Sequence, residues 1–227
     1  MKDVKGEHSD IGAEDPDEES SLLENRMARR SVNTVWIGDP ESGKTSLLTS
    51  YTQDIFPQEY VPTVFENYTA KVPALDGTIN LNMRATAGEE EFDSQTDVVV
   101  IVCSVDSRES FSNAETKWIP KAEKQLPGKP VILVGTKTDL RNKKDTITYK
   151  EGAKLAKKSG VTKYVECSAK EVNSVKAVFG EVLHEHFKNE EKTKRKGAQR
   201  NTCASFGLPC LKGGDANQPG DGLETHM

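Results

Sequence analysis

The sequence predicts an α/β domain with a mostly parallel central sheet flanked by helices, and three observations carry that expectation. Two continuous apolar runs, VVVIVC at 98–103 and PVILVGT at 130–136, read as strands buried on both faces. From residue 31 onward, runs of β character alternate with runs of helical spacing. A glycine-rich stretch, GDPESGKT at 38–45, sits where the first strand passes into the first helix.

The elements follow in order. SVNTVWIG (31–38) is a short β-like run closed by glycine, and KTSLLTSYT (44–52) has helical spacing. ENYTAKVPAL and TINLNMRA flank Asp76-Gly77, a strong two-residue hairpin signal. After VVVIVCSV, RESFSNAETKWIPKAEKQL reads as one helix, capped by Ser107 or Ser110. YKEGAKLAKKSG is a helix closed by glycine, and TKYVECS is a strand. VNSVKAVFGEVLHEHF is a final amphipathic helix with Val172, Val175, Val178, Phe179, Val182 and Leu183 on one face. The domain is expected to close near Lys188.

The 227 residues suit one domain with tails. Hydrophobic content of 34% and a mean hydropathy of −0.65 assign part of the chain to disorder. Residues 1–30 read as an acidic extension: nine Asp and Glu precede Asn25, against Lys2 and Lys5. Residues 189–227 read as a basic and then Gly/Pro-rich disordered tail. Cys103, Cys167, Cys203 and Cys210 show neither zinc-ligand spacing nor a disulfide framework, which suits a reducing cytosol. The longest apolar run is too short to span a bilayer, and the Met-Lys start lacks the glycine that N-myristoylation needs. No nucleic-acid partner is expected. His184 and His186, two apart on a helix, are expected at the surface on different faces.

GDPESGKT matches G-x-x-x-x-G-K-[ST], and its strand–loop–helix placement is what that motif needs. Glycines let the backbone turn and approach, successive N–H groups form an anion nest, and the helix adds its positive end. Gly38, Glu41, Ser42, Gly43, Lys44, Thr45 and Ser46 are the candidate phosphate-binding residues. Lys44 would reach the outer phosphates and Thr45 would ligate Mg²⁺. Two more loops, VGTKTDL after one buried strand and ECSAK after the next, lie at carboxyl ends of strands, where open parallel sheets bind ligands. A carboxylate there can accept from the amino and ring N–H pair of guanine and discriminate against adenine.

On these motifs the chain resembles the small GTPases of the Ras superfamily over residues 31–188. FPQEYVPTVFENYTA, GTKTDLR and KWIP resemble the Rho family in particular. The resemblance implies a P-loop NTPase fold, GTP/GDP and Mg²⁺ as cofactors, and a molecular switch in signal transduction. By it, Phe56 packs on the guanine, and Thr136, Lys137 and Asp139 read the base, buttressed by Ser168, Ala169 and Lys170. Tyr60 covers the phosphates, Thr63 binds Mg²⁺ and the γ-phosphate, and Gly88 senses that phosphate. Effector proteins would read switch I, Tyr60 to Tyr68.

The sequence departs from the family where hydrolysis is performed. The family's D-T-A-G-Q is Ala85-Thr86-Ala87-Gly88-Glu89 here, so the Mg²⁺-supporting carboxylate is missing. Glu89 holds the position of the glutamine that orients the attacking water. A carboxylate accepts from that water but cannot also donate to the phosphoryl group. Pro40 stands where most relatives have glycine, and the stretch after Asp93 is shorter than the usual switch II helix by about two turns. The family's insert helix is also absent. These departures point to a GTPase with weak or absent hydrolysis; the rivals are an interaction scaffold without a nucleotide cycle and, less favoured, an ATP-using enzyme.

The chain ends in E-T-H-M rather than the family's prenylation signal. Lys192, Lys194, Arg195, Lys196 and Arg200, with Cys203 and Cys210 as lipidation candidates, could attach the tail to an anionic membrane. The alternative is a solvated basic tail. The expected location is cytoplasmic, or peripheral at the inner face of the plasma membrane.

Overall fold

In the computed structural model, residues 31–57, 65–74, 77–86, 91–141 and 145–205 are described, with side chains through Arg195. The first strand, β1 (Ser31–Ile37), leads through a loop into α1 (Lys44–Gln53). A hairpin follows, β2 (Phe65–Ala74) and β3 (Gly77–Thr86), and then β4 (Val98–Ser104). Next come α2 (Arg108–Asn113), a π-helical turn (Ala114–Trp118) and α3 (Ile119–Gln125). The chain continues through β5 (Val131–Thr136), a 3-10 turn (Thr138–Leu140), α4 (Tyr149–Lys158), β6 (Lys163–Glu166) and α5 (Val172–Ser205). The strands form a single sheet in the order β2-β3-β1-β4-β5-β6, parallel except for β2 against β3.

The period of two along each strand sorts its apolar side chains onto two faces. Val32 and Trp36 of β1, Val98, Val100 and Val102 of β4, and Ile132 and Val134 of β5 join one core. Leu47 and Leu48 of α1 and Val175, Val178, Phe179 and Val182 of α5 complete it. The intervening residues Val35, Ile37, Val99, Ile101, Cys103 and Leu133 face the second core, which α3 and α4 close with Ile119, Ala122, Leu155 and Ala156. Phe179 anchors the first core, stacked on Tyr51 at 3.6 Å between ring centroids and tilted against Trp36 at 5.1 Å. Truncating such a ring to Ala costs about 3–5 kcal/mol.

Local chemistry fixes the ends. Ser107 is the cap of α2, its hydroxyl accepting from the Ser110 amide. Thr148 and Glu151 form a reciprocal capping box at α4. Gly160 (φ 66) turns the chain out after that helix.

Five expectations need correction. Residues 108–126 do not form one regular helix. Pro120 has no N–H and its ring excludes a carbonyl one turn back, so the chain takes the wide turn Ala114–Trp118 before α3 resumes. In the hairpin, Ala74 pairs with Gly77, so Gly77 begins the return strand rather than completing the turn. Val172, the first residue of α5, is 43% exposed, and His186 is buried although His184 is exposed. Finally, α5 runs past Phe187, where the expected helix ended. The chain divides into two units at His186 and Phe187, and in the second the helix runs to Ser205. From Glu181 to Lys196 it has neither Gly nor Pro, and Lys194–Glu190 (3.3 Å) and Arg195–Glu191 (3.6 Å) are i,i+4 ion pairs that favour helix. Among the described residues no helix is long and apolar enough to cross a membrane.

Candidate functional site

β1 gives way at Gly38, where φ is 148° and an added Cβ would lie 2.1 Å from the Val102 carbonyl oxygen, so only glycine fits. Asp39-Pro40-Glu41-Ser42 is then a turn closed by the Ser42 amide on the Asp39 carbonyl at 3.2 Å. Pro40 occupies the turn position that favours proline, and its missing N–H is not one the turn uses. The consequence falls on Glu41, an exposed residue held in the left-handed region at φ 59°.

Gly43 (φ 93°) caps α1 without a side-chain acceptor, and the first turn of α1 carries no acidic residue. The positive end of the helix therefore faces the loop uncompensated, with Thr45 and Ser46 half-buried on it. Lys44, only 6% exposed, folds back so that Nζ donates to the Gly38 and Asp39 carbonyls, both at 2.8 Å, and lies 3.4 Å from Ser42 Oγ. Burial pushes its pKa down to about 8, although the Asp39 carboxylate opposes the shift.

The second wall comes from the ends of β5 and β6. Thr136 joins the walls, its hydroxyl set against the Ser42 and Cys103 carbonyls. Lys137 turns the chain at φ 61° into the 3-10 turn that carries Asp139. Oδ1 of Asp139 accepts from the Ser168 hydroxyl at 2.7 Å and Oδ2 from Lys170 Nζ at 2.8 Å. Partial burial works to raise the Asp139 pKa, but hydrogen bonds from Lys170 and Ser168 outweigh it and hold it below the usual value. Two ties bind the loops: the Thr138 amide on the Cys167 carbonyl at 3.3 Å, and Arg141 Nη2 on Glu166 at 2.6 Å. Ala169 is half-buried in this wall, and the Lys170 ammonium stands 5.6 Å over the ring of Phe56, which is 37% exposed. The structure thus brings together the loop 38–46, Phe56, Thr136, Lys137, Asp139, Ser168, Ala169 and Lys170.

Tyr60, Thr63, Gly88, Glu89 and Cys210 lie outside the described residues, as does the side chain of Cys203 in α5. The stretch after Glu89 is described from Glu91. There the chain makes a turn instead of a helix: the Thr96 amide bonds the Asp93 carbonyl, and the Gln95 amide the Asp93 side chain, each at 2.9 Å. The Phe92 amide donates to Gln125 of α3 at 2.9 Å, and Asn33 of β1 donates its amide to Asp97 at 3.0 Å, so the shortened segment is tied at both ends.

Ala85 is fully buried in β3, in register with Trp36 and Glu66, and offers no ligand to a metal. Among the described residues no group of three His, Cys, Asp or Glu could hold a metal ion. The loop glycines, the buried Lys44 and the open N-terminus of α1 make a cradle that suits a phosphate chain. Mg²⁺ would find the Thr45 hydroxyl and the phosphates themselves, but no carboxylate from position 85.

Two residues missed in the sequence complete the loop. Trp118 Nε1 donates to Asp39 Oδ1 at 2.8 Å, and Asn113 Nδ2 donates to Oδ2 at 2.7 Å. The one available signal was a Trp in an otherwise charged helical stretch, ETKWIPK.

A model of the Ras family matches residues 33–188, and the site just described falls within them. The six-stranded order, the phosphate loop between β1 and α1 and the paired carboxylate of Asp139 agree with that match. The chain belongs to the Ras family of small GTPases, nucleotide-binding molecular switches.

Proposed function

We propose that this chain is a Rho-like switch that binds GTP and GDP tightly and hydrolyses GTP slowly or not at all. The observation that carries the reading is a contrast within one site. The groups that hold nucleotide are in working order: Lys44 is seated on the loop carbonyls, and Asp139 is oriented by Ser168 and Lys170. The groups that would act on it are altered: position 85 is a buried alanine, and the chain after Glu91 closes in a short turn.

In this reading Asp139 accepts from the guanine amino and ring N–H, while Phe56 and Lys170 cover the base. The loop N–H groups and Lys44 bind the phosphates. Mg²⁺, held by Thr45 and Thr63, would neutralise phosphate charge when bound. Glu89 can accept from a water but cannot donate to the phosphoryl oxygens, and its charge repels them. A γ-phosphate draws Thr63 and Gly88 inward, and effector proteins read the ordered stretch Tyr60 to Tyr68. The basic residues Lys192 to Arg200, with Cys203 and Cys210, attach the cytoplasmic protein to an anionic membrane.

Ala85 favours a second reading, an interaction scaffold with no nucleotide cycle. Denaturing the purified protein and identifying the released nucleotide by chromatography separates the two. Guanine nucleotide near one equivalent, displaced by GTP and not by ATP, supports the switch; an empty protein that GTP does not stabilise against heat contradicts it.

A further inference from the structure

We propose that Asn113 and Trp118 are positioning residues for the phosphate loop, whose two N–H groups hold the Asp39 carboxylate off the bound phosphates and thereby set nucleotide affinity. The inference rests on the nucleotide-binding reading above and names a device within that site.

Asp39 is the second residue of the loop, and its backbone serves it twice. Its carbonyl seats Lys44 Nζ at 2.8 Å and closes the turn on the Ser42 amide at 3.2 Å. Its side chain would otherwise be an acidic group on the loop that binds an anion, and like charges at such range repel strongly. Both carboxylate oxygens are instead taken by donors from across the site, the indole at 2.8 Å and the Asn113 amide at 2.7 Å. A buried tryptophan commonly finds some acceptor for its N–H. Here two independent donors, one at each end of the same wide turn, converge on a single carboxylate, and that residue's carbonyl seats the phosphate-binding lysine.

The geometry suits a fixed clamp. Trp118 is 1% exposed and belongs to the second core with Ile119 and Ala122, so its indole is held by packing rather than by the loop. Pro120 forces the wide turn that ends on Trp118. Both donors are neutral, so they fix the carboxylate without a cation that would compete with Lys44 for phosphate. Bonds to a charged acceptor are among the stronger ones.

The test measures the Kd of N-methylanthraniloyl-GDP, starting with the wild-type chain. Trp118→Phe and Asn113→Ala should each raise Kd by about tenfold, the size expected for one bond to a charged group. In an Asp39→Ala background, where no carboxylate remains to be held, Trp118→Phe should change Kd by less than about twofold while still lowering the unfolding midpoint through its lost packing. Trp118→Phe could unfold the chain; Asn113→Ala, at a half-buried position, then carries the same test alone. Unchanged Kd in both single variants overturns the inference while leaving the nucleotide reading intact. So does a loss that persists undiminished beside Asp39→Ala, because it would mark a purely structural role. A wild-type chain that binds no guanine nucleotide overturns both.

Discussion

Raising the pH tests the seat of Lys44. Its ammonium is buried among loop carbonyls and its pKa falls from 10.5 to about 8 in the nucleotide-free protein. Phosphates placed against it restore the charged form, so above that pH binding must take up a proton. With the bound-state pKa well above 9, the arithmetic of one linked proton gives an about eightfold weaker Kd at pH 9 than at pH 7.5. The sign for folding is the reverse of the usual lysine case. Between about 8 and 10.5 the unfolded chain retains a proton that the folded one has lost, so the stability of the nucleotide-free protein rises with pH across that window. Titration calorimetry of GDP binding in two buffers of different ionisation heat reads the uptake directly, approaching one proton near pH 9. Lys44→Arg keeps its charge throughout and supplies the control, since it shares every other titration, including that of guanine. A Kd that stays flat from pH 7.5 to 9, or that rises equally in Lys44→Arg, would refute the reasoning.

Other perturbations have equally defined outcomes. Gly152→Ala should gain about 1 kcal/mol from helix propensity, yet its Cβ would stand 2.0 Å from Tyr164 Cζ. The clash wins, and urea unfolding should show a net loss of about 2–4 kcal/mol that shrinks when Tyr164→Leu is added. Glu41→Gly removes left-handed strain and should stabilise the protein by about 0.5–1 kcal/mol in the same assay. Ser168→Ala leaves Asp139 with Lys170 alone and should raise the Kd for GDP by about three- to tenfold; an unchanged Kd would mean that the Ser168 bond does not orient the base-reading carboxylate.

What could be read from the sequence follows physical range. β4 and β5 announce themselves because a strand buried on both faces must be apolar throughout, and each is. The phosphate loop is visible because its chemistry depends on neighbours in sequence. Asp139 and Ser168 are 29 residues apart, and only the parallel pairing of β5 with β6 brings them together; their partnership came from family resemblance rather than from pattern. The Asp39–Trp118 bond spans 79 residues, and its one local trace was the lone Trp in ETKWIPK. The wide turn at Ala114–Trp118 was hidden because one extra residue in a turn barely disturbs helical periodicity over so short a stretch. The continuation of α5 past Lys188 was misread from charge. Lys and Glu suit a solvated tail and an exposed helix equally well, and spacing decides between them.

The central claim is that this site holds GTP without efficiently cleaving it, and single-turnover hydrolysis tests it most directly. Protein loaded with γ-labelled GTP, in saturating Mg²⁺, should release phosphate well below the ~4 × 10⁻⁴ s⁻¹ of an intact unassisted site. Retained label should remain GTP over hours. Phosphate release at or above that rate would contradict the account, showing that Ala85, Glu89 and the short turn after Asp93 still support catalysis.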